Sequence, residues 1–234
     1  MRAQRSRHPR MGGRKLYHRL KPRLHTAGIR MGRDKFFALL RAHSLLVPRR
    51  TRRGPRTTNG ARSRWGNQLA KTSVTGPNQA WVADITYLRT LQGHCYLAMI
   101  SDKYSRKILG WDVSESLELQ GAMKALKAAL AQKKDHMHPI HHSDRGSQYR
   151  SRIYVQQLLN EYCQVSMTEE NHCAENAQAE RLNGVLKQEY LLDQIFTCTE
   201  QARQAAREAI RLYNTDRPHL SLNYATPEQV HRAA

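Results

Sequence analysis

From residue 76 onward the chain alternates strand and helix signals in an order that few architectures accommodate. Three β-rich runs come first, at 81–88, 96–100 and 108–113, separated by turn residues. An amphipathic segment follows at 117–130, with Met123, Leu126 and Leu130 on one stripe, and then a short fourth strand at 139–143. A helix at 153–159, a weak strand at 164–167, a long helix at 174–191 and a last helix at 200–213 complete the series. Three strands, then helix, strand, helix, strand and helices predict a mixed α/β domain with a five-stranded sheet and flanking helices, not a doubly wound parallel one.

The segment before this domain has a different chemistry. The chain has 234 residues and a formal charge of +20 from 39 Lys+Arg against 19 Asp+Glu. Residues 1–71 hold 21 of those bases and a single acid, Asp34, so the whole surplus lies in the N-terminal third. Such an asymmetry asks for a polyanion, with nucleic acid the first candidate. Leu16, Leu20 and Leu24 recur at helical spacing, Gly28 interrupts, and Phe36, Phe37, Leu39 and Leu40 begin a second helix. Two readings stay open for this pair. It is a helix-turn-helix whose second helix enters a major groove, with Arg30, Arg33, Lys35 and Arg41 near phosphates, or a basic hairpin that grips DNA without reading it. The expected organisation is a basic helical region at 1–47, a basic linker at 48–75 that is mobile without DNA, and a catalytic domain at 76–234.

No stretch approaches the roughly 20 apolar residues of a membrane span, and the arginine-rich start has no apolar signal core, so a cytoplasmic protein without membrane contact is expected. Cys95, Cys163, Cys173 and Cys198 are scattered without a Cys-x-x-Cys pair, which reads as reduced packing residues and not as a zinc ribbon or disulfide framework. His136, His138, His141 and His142 lack the partner spacing of a zinc site and read as solvated loop residues, with His142 supporting Asp144. No zinc is expected. The run His142-Ser143-Asp144 contains hydrolase residue types, but neighbours along a strand face opposite ways and cannot form that relay.

Asp84 stands between Ala83 and Ile85 in the first β-rich run, where a charge is costly unless it has a task. Asp144 follows the fourth strand. Glu180 lies inside the long helix, where Ala179, Leu182, Val185 and Leu186 make the packing stripe and Asn183, Gly184 and Lys187 share the polar face with it. Carboxylates on separate rigid elements suit phosphodiester chemistry with two Mg²⁺ ions about 3.5–4 Å apart. Asp102 competes for the second position, but its place between two strands fits a turn.

These segments carry a resemblance. Trp81-Val82-Ala83-Asp84-Ile85-Thr86-Tyr87, His142-Ser143-Asp144-Arg145-Gly146-Ser147-Gln148-Tyr149 and Glu175-Asn176-Ala177-Gln178-Ala179-Glu180, continuing through Asn183-Gly184 and Lys187, resemble the OrfB subunit of IS3-type insertion-sequence transposases. The 35 residues between Asp144 and Glu180 match the spacing of the Asp, Asp, Glu integrase core, and Tyr213-Asn214, Arg217-Pro218-His219 and Thr226-Pro227 match the family's tail. Met11 to Leu16, with Arg14 and Lys15, is similar to the basic helical region before that core. The resemblance implies a ribonuclease-H-like fold in which Asp84, Asp144 and Glu180 bind Mg²⁺, with Mn²⁺ substituting. It implies hydrolysis at a transposon end to free a 3′-hydroxyl, which then attacks another phosphodiester. It also implies DNA contacts from Lys187 and Asn183, a supporting role for Asn176, an upstream-frame helix-turn-helix partner (OrfA), and a homo-multimer on double-stranded DNA.

Two departures stand out. Glu175 replaces the family's Asp, and Ser166-Met167-Thr168-Glu169-Glu170-Asn171 replaces a Ser-x-Ser-Arg-x-Gly run. They leave open a catalytically degenerate DNA-binding relic, and a ribonuclease-H-like nuclease that cuts branched DNA without joining is a third reading.

Overall fold

A computed structural model of the chain describes residues 1–47, 65–134, 136–169 and 175–233. Strand β1 (Ala80–Thr90) is rich in β-branched and aromatic residues and lies at the centre of a sheet ordered β3-β2-β1-β4-β5. It pairs antiparallel with β2 (Gly93–Asp102), which pairs antiparallel with β3 (Ile108–Ser114), giving the three-strand meander expected from the sequence. Two parallel strands extend the other side, β4 (Ile140–Ser143) beside β1 and β5 (Gln164–Met167) beside β4. A two-residue strand that periodicity did not predict, β6 (Ile195–Phe196), pairs with the far end of β1 at Arg89 and Thr90. Two residues are too few to leave a periodic signal.

Helices cover both faces. On one, α4 (Leu119–Leu130) and α6 (Arg152–Asn160) pack Ala122, Leu126, Tyr154 and Leu158 against Trp81, Ala83 and Ile100. On the other, α7 (Ala177–Glu189) and α8 (Thr199–Thr215) pack Leu182, Leu186, Ala206 and Ile210 against Leu88, Leu97 and Met99. Each large buried apolar side chain contributes about 1.5–3 kcal/mol, so this double layer holds the domain rigid around β1. A four-residue helix, α5 (Ser147–Arg150), follows Asp144. The last helix, α9 (Pro227–Arg232), carries a capping box between Thr226 and Gln229 with Pro227 at its start. That signature was present in the sequence and outweighs the brevity of the helix.

The N-terminal region forms α1 (Arg2–Arg7), α2 (Gly13–Thr26) and α3 (Arg33–Ala42), with Gly28 at φ +70° in the turn between the last two. Leu16, Leu20, Phe36 and Leu40 make a small core of their own. The region is also clasped to the catalytic domain. Asp216, at the end of α8, takes Arg7, His8 and Arg19, and Glu189, at the end of α7, takes Lys15 and Arg217.

The linker expectation falls mostly on residues 48–64, outside the described residues. Its end is not a free tether. Leu69, in a single 3-10 turn (Leu69–Lys71), packs with Ala80, Val82 and Ile140, and the Gln68 and Leu69 amides donate to Ser166 Oγ. Trp65 and Val74 pack against the domain as well, and three isolated apolar side chains with a few backbone amides dock the segment without producing a composition signal.

Candidate active site

The parallel register of β1 and β4 brings the first two carboxylates level. Val82 is opposite His142, so two residues further on Asp84 stands level with Asp144, just where β4 ends. Adjacent strands lie about 4.8 Å apart, and the carboxyl ends of parallel strands are where an open sheet leaves a crevice. Alternation along β1 turns Val82, Asp84 and Leu88 to the face that α7 covers, as the packing of Val82 against Ala179 and of Leu88 beside Leu182 shows. Glu180 is in the first turn of α7, its amide donating to the Asn176 carbonyl.

Charge records this convergence. The Asp84 carboxyl is pushed up to about 7, first by desolvation and then by the negative charge of Asp144, with a smaller contribution from Glu180. The Ile85 amide and the Asn183 side chain act against the rise. Asn183 Nδ2 donates to Asp84 Oδ2 at 2.6 Å. Lys187 Nζ lies 4.5 Å over the Tyr87 ring; burial lowers its pKa, and the charge of Asp84 raises it. Tyr149, buried on α5, feels both aspartates. Asp144 Oδ1 accepts from the Gly146 amide.

The donor set suits a hard divalent cation. Three carboxylates on β1, after β4 and on α7 are oxygen donors that could ligate it, and two further buried oxygens, Asn176 Oδ1 and Asn183 Oδ1, have no hydrogen-bond partner. Repulsion among the acids that the Ile85 amide and Asn183 only partly offset is the electrostatic signature of such a site. Among the described residues no three ligating side chains are already gathered around one point, so the trio is convergent but open.

The other expected site residues divide. Lys187 is beside Asp84. Asn183, expected on DNA, is instead committed to Asp84. Asn176 is buried next to β1, its Nδ2 donating to the Ala83 carbonyl. Arg14, Arg33 and Arg41 surround a surface hollow of about 330 Å³ together with Asp34, and Arg30 and Lys35 are exposed nearby. Lys15 does not belong with them. Only 9% exposed, it binds Glu189 at 2.8 Å and faces the catalytic domain, not solvent, because it lies on the side of α2 that buries Leu16.

The histidine expectation also needs correcting. His141 and His142 are strand residues, 1% and 0% exposed, and burial pushes their pKa values down to about 3 and about 4, so both are neutral. His141 meets the Tyr154 hydroxyl, and His142 Nδ1 meets Ser166 Oγ instead of supporting Asp144. β4 is covered on both faces, so its alternate residues are buried whether polar or not. Asp102, expected in a turn, is instead the last residue of β2, opposite Trp81, and its oxygens are taken by the Asn78 amide and by the amide and hydroxyl of Ser105. Glu175 accepts from Asn67 Nδ2 and the Glu169 amide, so this substitution now fastens the segment before β1. Residues 170 and 171, in the second departure, lie outside the described residues, as does Cys173. Tyr87 was missed, although a tyrosine three residues past a candidate catalytic aspartate was visible in the sequence.

Comparison with known proteins agrees with this arrangement. Residues 74–173 and residues 161–227 match two family models, each described as "Integrase core domain". The chain is 36% identical over 224 residues to the "Insertion element IS600 uncharacterized 31 kDa protein" of Shigella sonnei, covering 92% of this chain and 82% of that one. It is 38% identical over 157 residues to "Transposase InsF for insertion sequence IS3A" of Escherichia coli (strain K12), covering 67% of this chain and 54% of the relative, so it spans about half the length of that transposase. Among solved structures, the HTLV-2 integrase catalytic core domain in complex with magnesium aligns with TM-score 0.53 at 20% identity, over 67% of this chain and 97% of that one. The simian T-cell lymphotropic virus intasome in complex with PP2A regulatory subunit B56 gamma aligns with TM-score 0.57 at 18% identity, over 95% of this chain and 75% of that one. The fold is the ribonuclease-H-like integrase core. With its sheet order and its sequence relatives in agreement, the chain belongs to the IS3-type insertion-sequence transposases, enzymes built on an integrase catalytic core.

Proposed function

We propose that this transposase cuts and joins DNA through Asp84, Asp144 and Glu180, which hold Mg²⁺, with Mn²⁺ able to substitute. The observation that carries the reading is the Asp84 carboxyl, raised to about 7 by burial and by two other acids from distant parts of the chain. When bound, the cations neutralise the scissile phosphate and make the attacking oxygen a better nucleophile. The protein's own groups set the stage. Asn183 fixes one oxygen of Asp84 through its amide, and Lys187, held over Tyr87, presents a positive charge to a phosphate beside the acids. Below pH 7 a proton on Asp84 competes for the site, so cation affinity should rise as pH passes through about 7. A first hydrolysis frees a 3′-hydroxyl at the element's end, and that hydroxyl attacks a second phosphodiester without a covalent protein intermediate.

The test is a joining reaction on DNA bearing the element's ends. Asp84→Asn, Asp144→Asn and Glu180→Gln should each abolish cleavage and joining while DNA affinity in chelator stays within about twofold. Normal joining by Glu180→Gln would refute the assignment. Cutting of branched DNA without joining would identify a nuclease, and binding without either reaction would identify a relic.

The partners follow the same reading: double-stranded DNA at the ends and target, a second copy of the chain because two ends must be served, and an upstream-frame helix-turn-helix subunit. Exposed Arg14, Arg30, Arg33, Lys35 and Arg41 support the first. Among the described residues no helix is long and apolar enough to cross a membrane, which is consistent with work on cytoplasmic DNA.

A further inference from the structure

Helix α7 has a second charged flank that the catalytic reading does not use. Two cavities, of about 650 and 410 Å³, adjoin along it and share Arg106 and Ser221. The larger is walled by Asn67, Thr72, Lys103, Arg106 and Asn223, and the smaller by Arg106, Gln178, Arg181 and His219. Together they form one trough from the segment before β1, past the β2–β3 turn, to the side of α7 away from Glu180.

Of the cations in its wall, Lys15 and Arg217 are spent on Glu189, and among the described residues three others have no such partner. Lys103 and Arg106 are partly buried and Arg181 is exposed, and among the described residues none of the three is in an ion pair. Arg106 donates to the Gln178 amide oxygen, a neutral partner. Among the described residues of the wall the one carboxylate, Glu175, is taken up by Asn67 and the Glu169 amide, and nearby Asp102 has its oxygens filled by Asn78 and Ser105. Arg106 also sits at φ +67°, a backbone region that glycine occupies at far lower cost.

We propose that this trough is a track for the DNA phosphate backbone, with Lys103, Arg106 and Arg181 each contacting a phosphate. The proposal rests on the reading of the chain as a DNA-cutting transposase and deepens it. A strand engaged at Glu180 on one flank of α7 continues along the other. Polar side chains such as Thr72, Ser221 and Asn223 suit phosphate and sugar oxygens, and among the described residues of the wall no carboxylate is left to attract a positively charged ligand. Phosphate contacts of this kind position a strand without reading its sequence.

The experiment measures DNA binding by the full chain in chelator, against salt, for a labelled duplex and for its single strand. Each phosphate contact contributes close to one unit of slope in log affinity against log salt, about 0.9 on duplex and 0.7 on single strand. Arg181→Ala and Lys103→Ala should each flatten the slope by about that amount and weaken binding several-fold near 0.1 M salt. Arg106→Gly should do the same while the thermal midpoint holds or rises, since glycine relieves φ +67° and a binding loss then cannot come from unfolding. Lys127→Ala, on α4 across the sheet, should leave the slope unchanged. Unchanged slopes in Arg181→Ala and Arg106→Gly overturn the proposal, as does an equal flattening in Lys127→Ala. The DNA form that shows the change identifies the strand state the trough takes. Chelator removes chemistry from this assay, so a failed joining reaction with altered slopes sinks only the catalytic reading, and normal joining with unaltered slopes sinks only the trough.

Discussion

Replacing Glu189 by Gln tests how the basic arm is tied to the helix that carries Glu180. Glu189 receives Arg217 through two bonds, Nε at 2.9 Å and a terminal nitrogen at 2.8 Å, and Lys15 at 2.8 Å. Its side chain is 20% exposed and that of Arg217 is 3% exposed, so solvent screens the pair weakly. The two cations hold the Glu189 carboxyl at about 2, against an ordinary 4.5 and against the desolvation that opposes them. At about 1.36 kcal/mol per tenfold in the proton equilibrium, that drop corresponds to about 3 kcal/mol of stability at pH 7. Removing the charge also strands Lys15 and Arg217 in a buried place, a loss of about 3–5 kcal/mol for comparable pairs. E189Q should therefore lose about 3 kcal/mol in urea unfolding at pH 7. The sign for pH follows from a depressed carboxylate: the contribution is complete above 4.5 and disappears as pH falls from 4.5 through about 2, so the gap between wild type and variant should close over that window. A loss under about 1 kcal/mol at pH 7, or a gap that widens in acid, would refute the network as a structural tie.

Lys15 and Arg33 should separate cleanly. Lys15→Ala should lower stability by about 2–3 kcal/mol with little effect on the salt slope of DNA binding, whereas Arg33→Ala should leave stability within about 0.5 kcal/mol and flatten that slope by nearly one unit. Gly110→Ala should destabilise the domain by about 3 kcal/mol or more in chemical denaturation, because an added Cβ would meet the Ala125 carbonyl oxygen at 2.0 Å and the Ala129 nitrogen at 2.6 Å where β3 crosses α4. An unchanged midpoint would mean that strand and helix are further apart. His141 and His142, held neutral by burial, accept protons only after unfolding, so stability should fall as pH drops below 6.5, by about 1.4 kcal/mol per histidine at pH 5.5. Protonation of Asp84 in the folded protein opposes this loss over the same range, so the test is the stability difference between wild type and a His141→Phe variant: a difference that stays constant from pH 7 to 5.5 would show the ring to be solvated.

Much of the proposed site was readable from local sequence. Asp84 drew attention as a charge within an apolar strand, and Asp144 and Glu180 followed from motif and spacing. Periodicity also placed the meander, the four longest helices of the catalytic domain and the apolar stripe of α7. It failed where the deciding contact is distant. Lys15 and Arg14 are neighbours of like charge on one helix, yet one is buried against Glu189, 174 residues away, and the other faces solvent. His141 and His142 read as loop histidines because the chain around them is polar, and only the two covering layers make them core residues. The end of the basic linker docks through Trp65, Leu69 and Val74, isolated apolar side chains that no composition window detects.

The amino-acid order alone determined the longer elements, their succession, and the three acids proposed for the site, because those properties depend on spacing within a dozen residues or on a motif. Tertiary structure decided that β4 lies parallel to β1 in the register that sets Asp84 level with Asp144, that Asn183 turns to Asp84, and which basic residues are spent on internal acids. Those choices are made by packing between segments far apart in the chain, where the energy of a contact depends on a partner that neither segment specifies by itself.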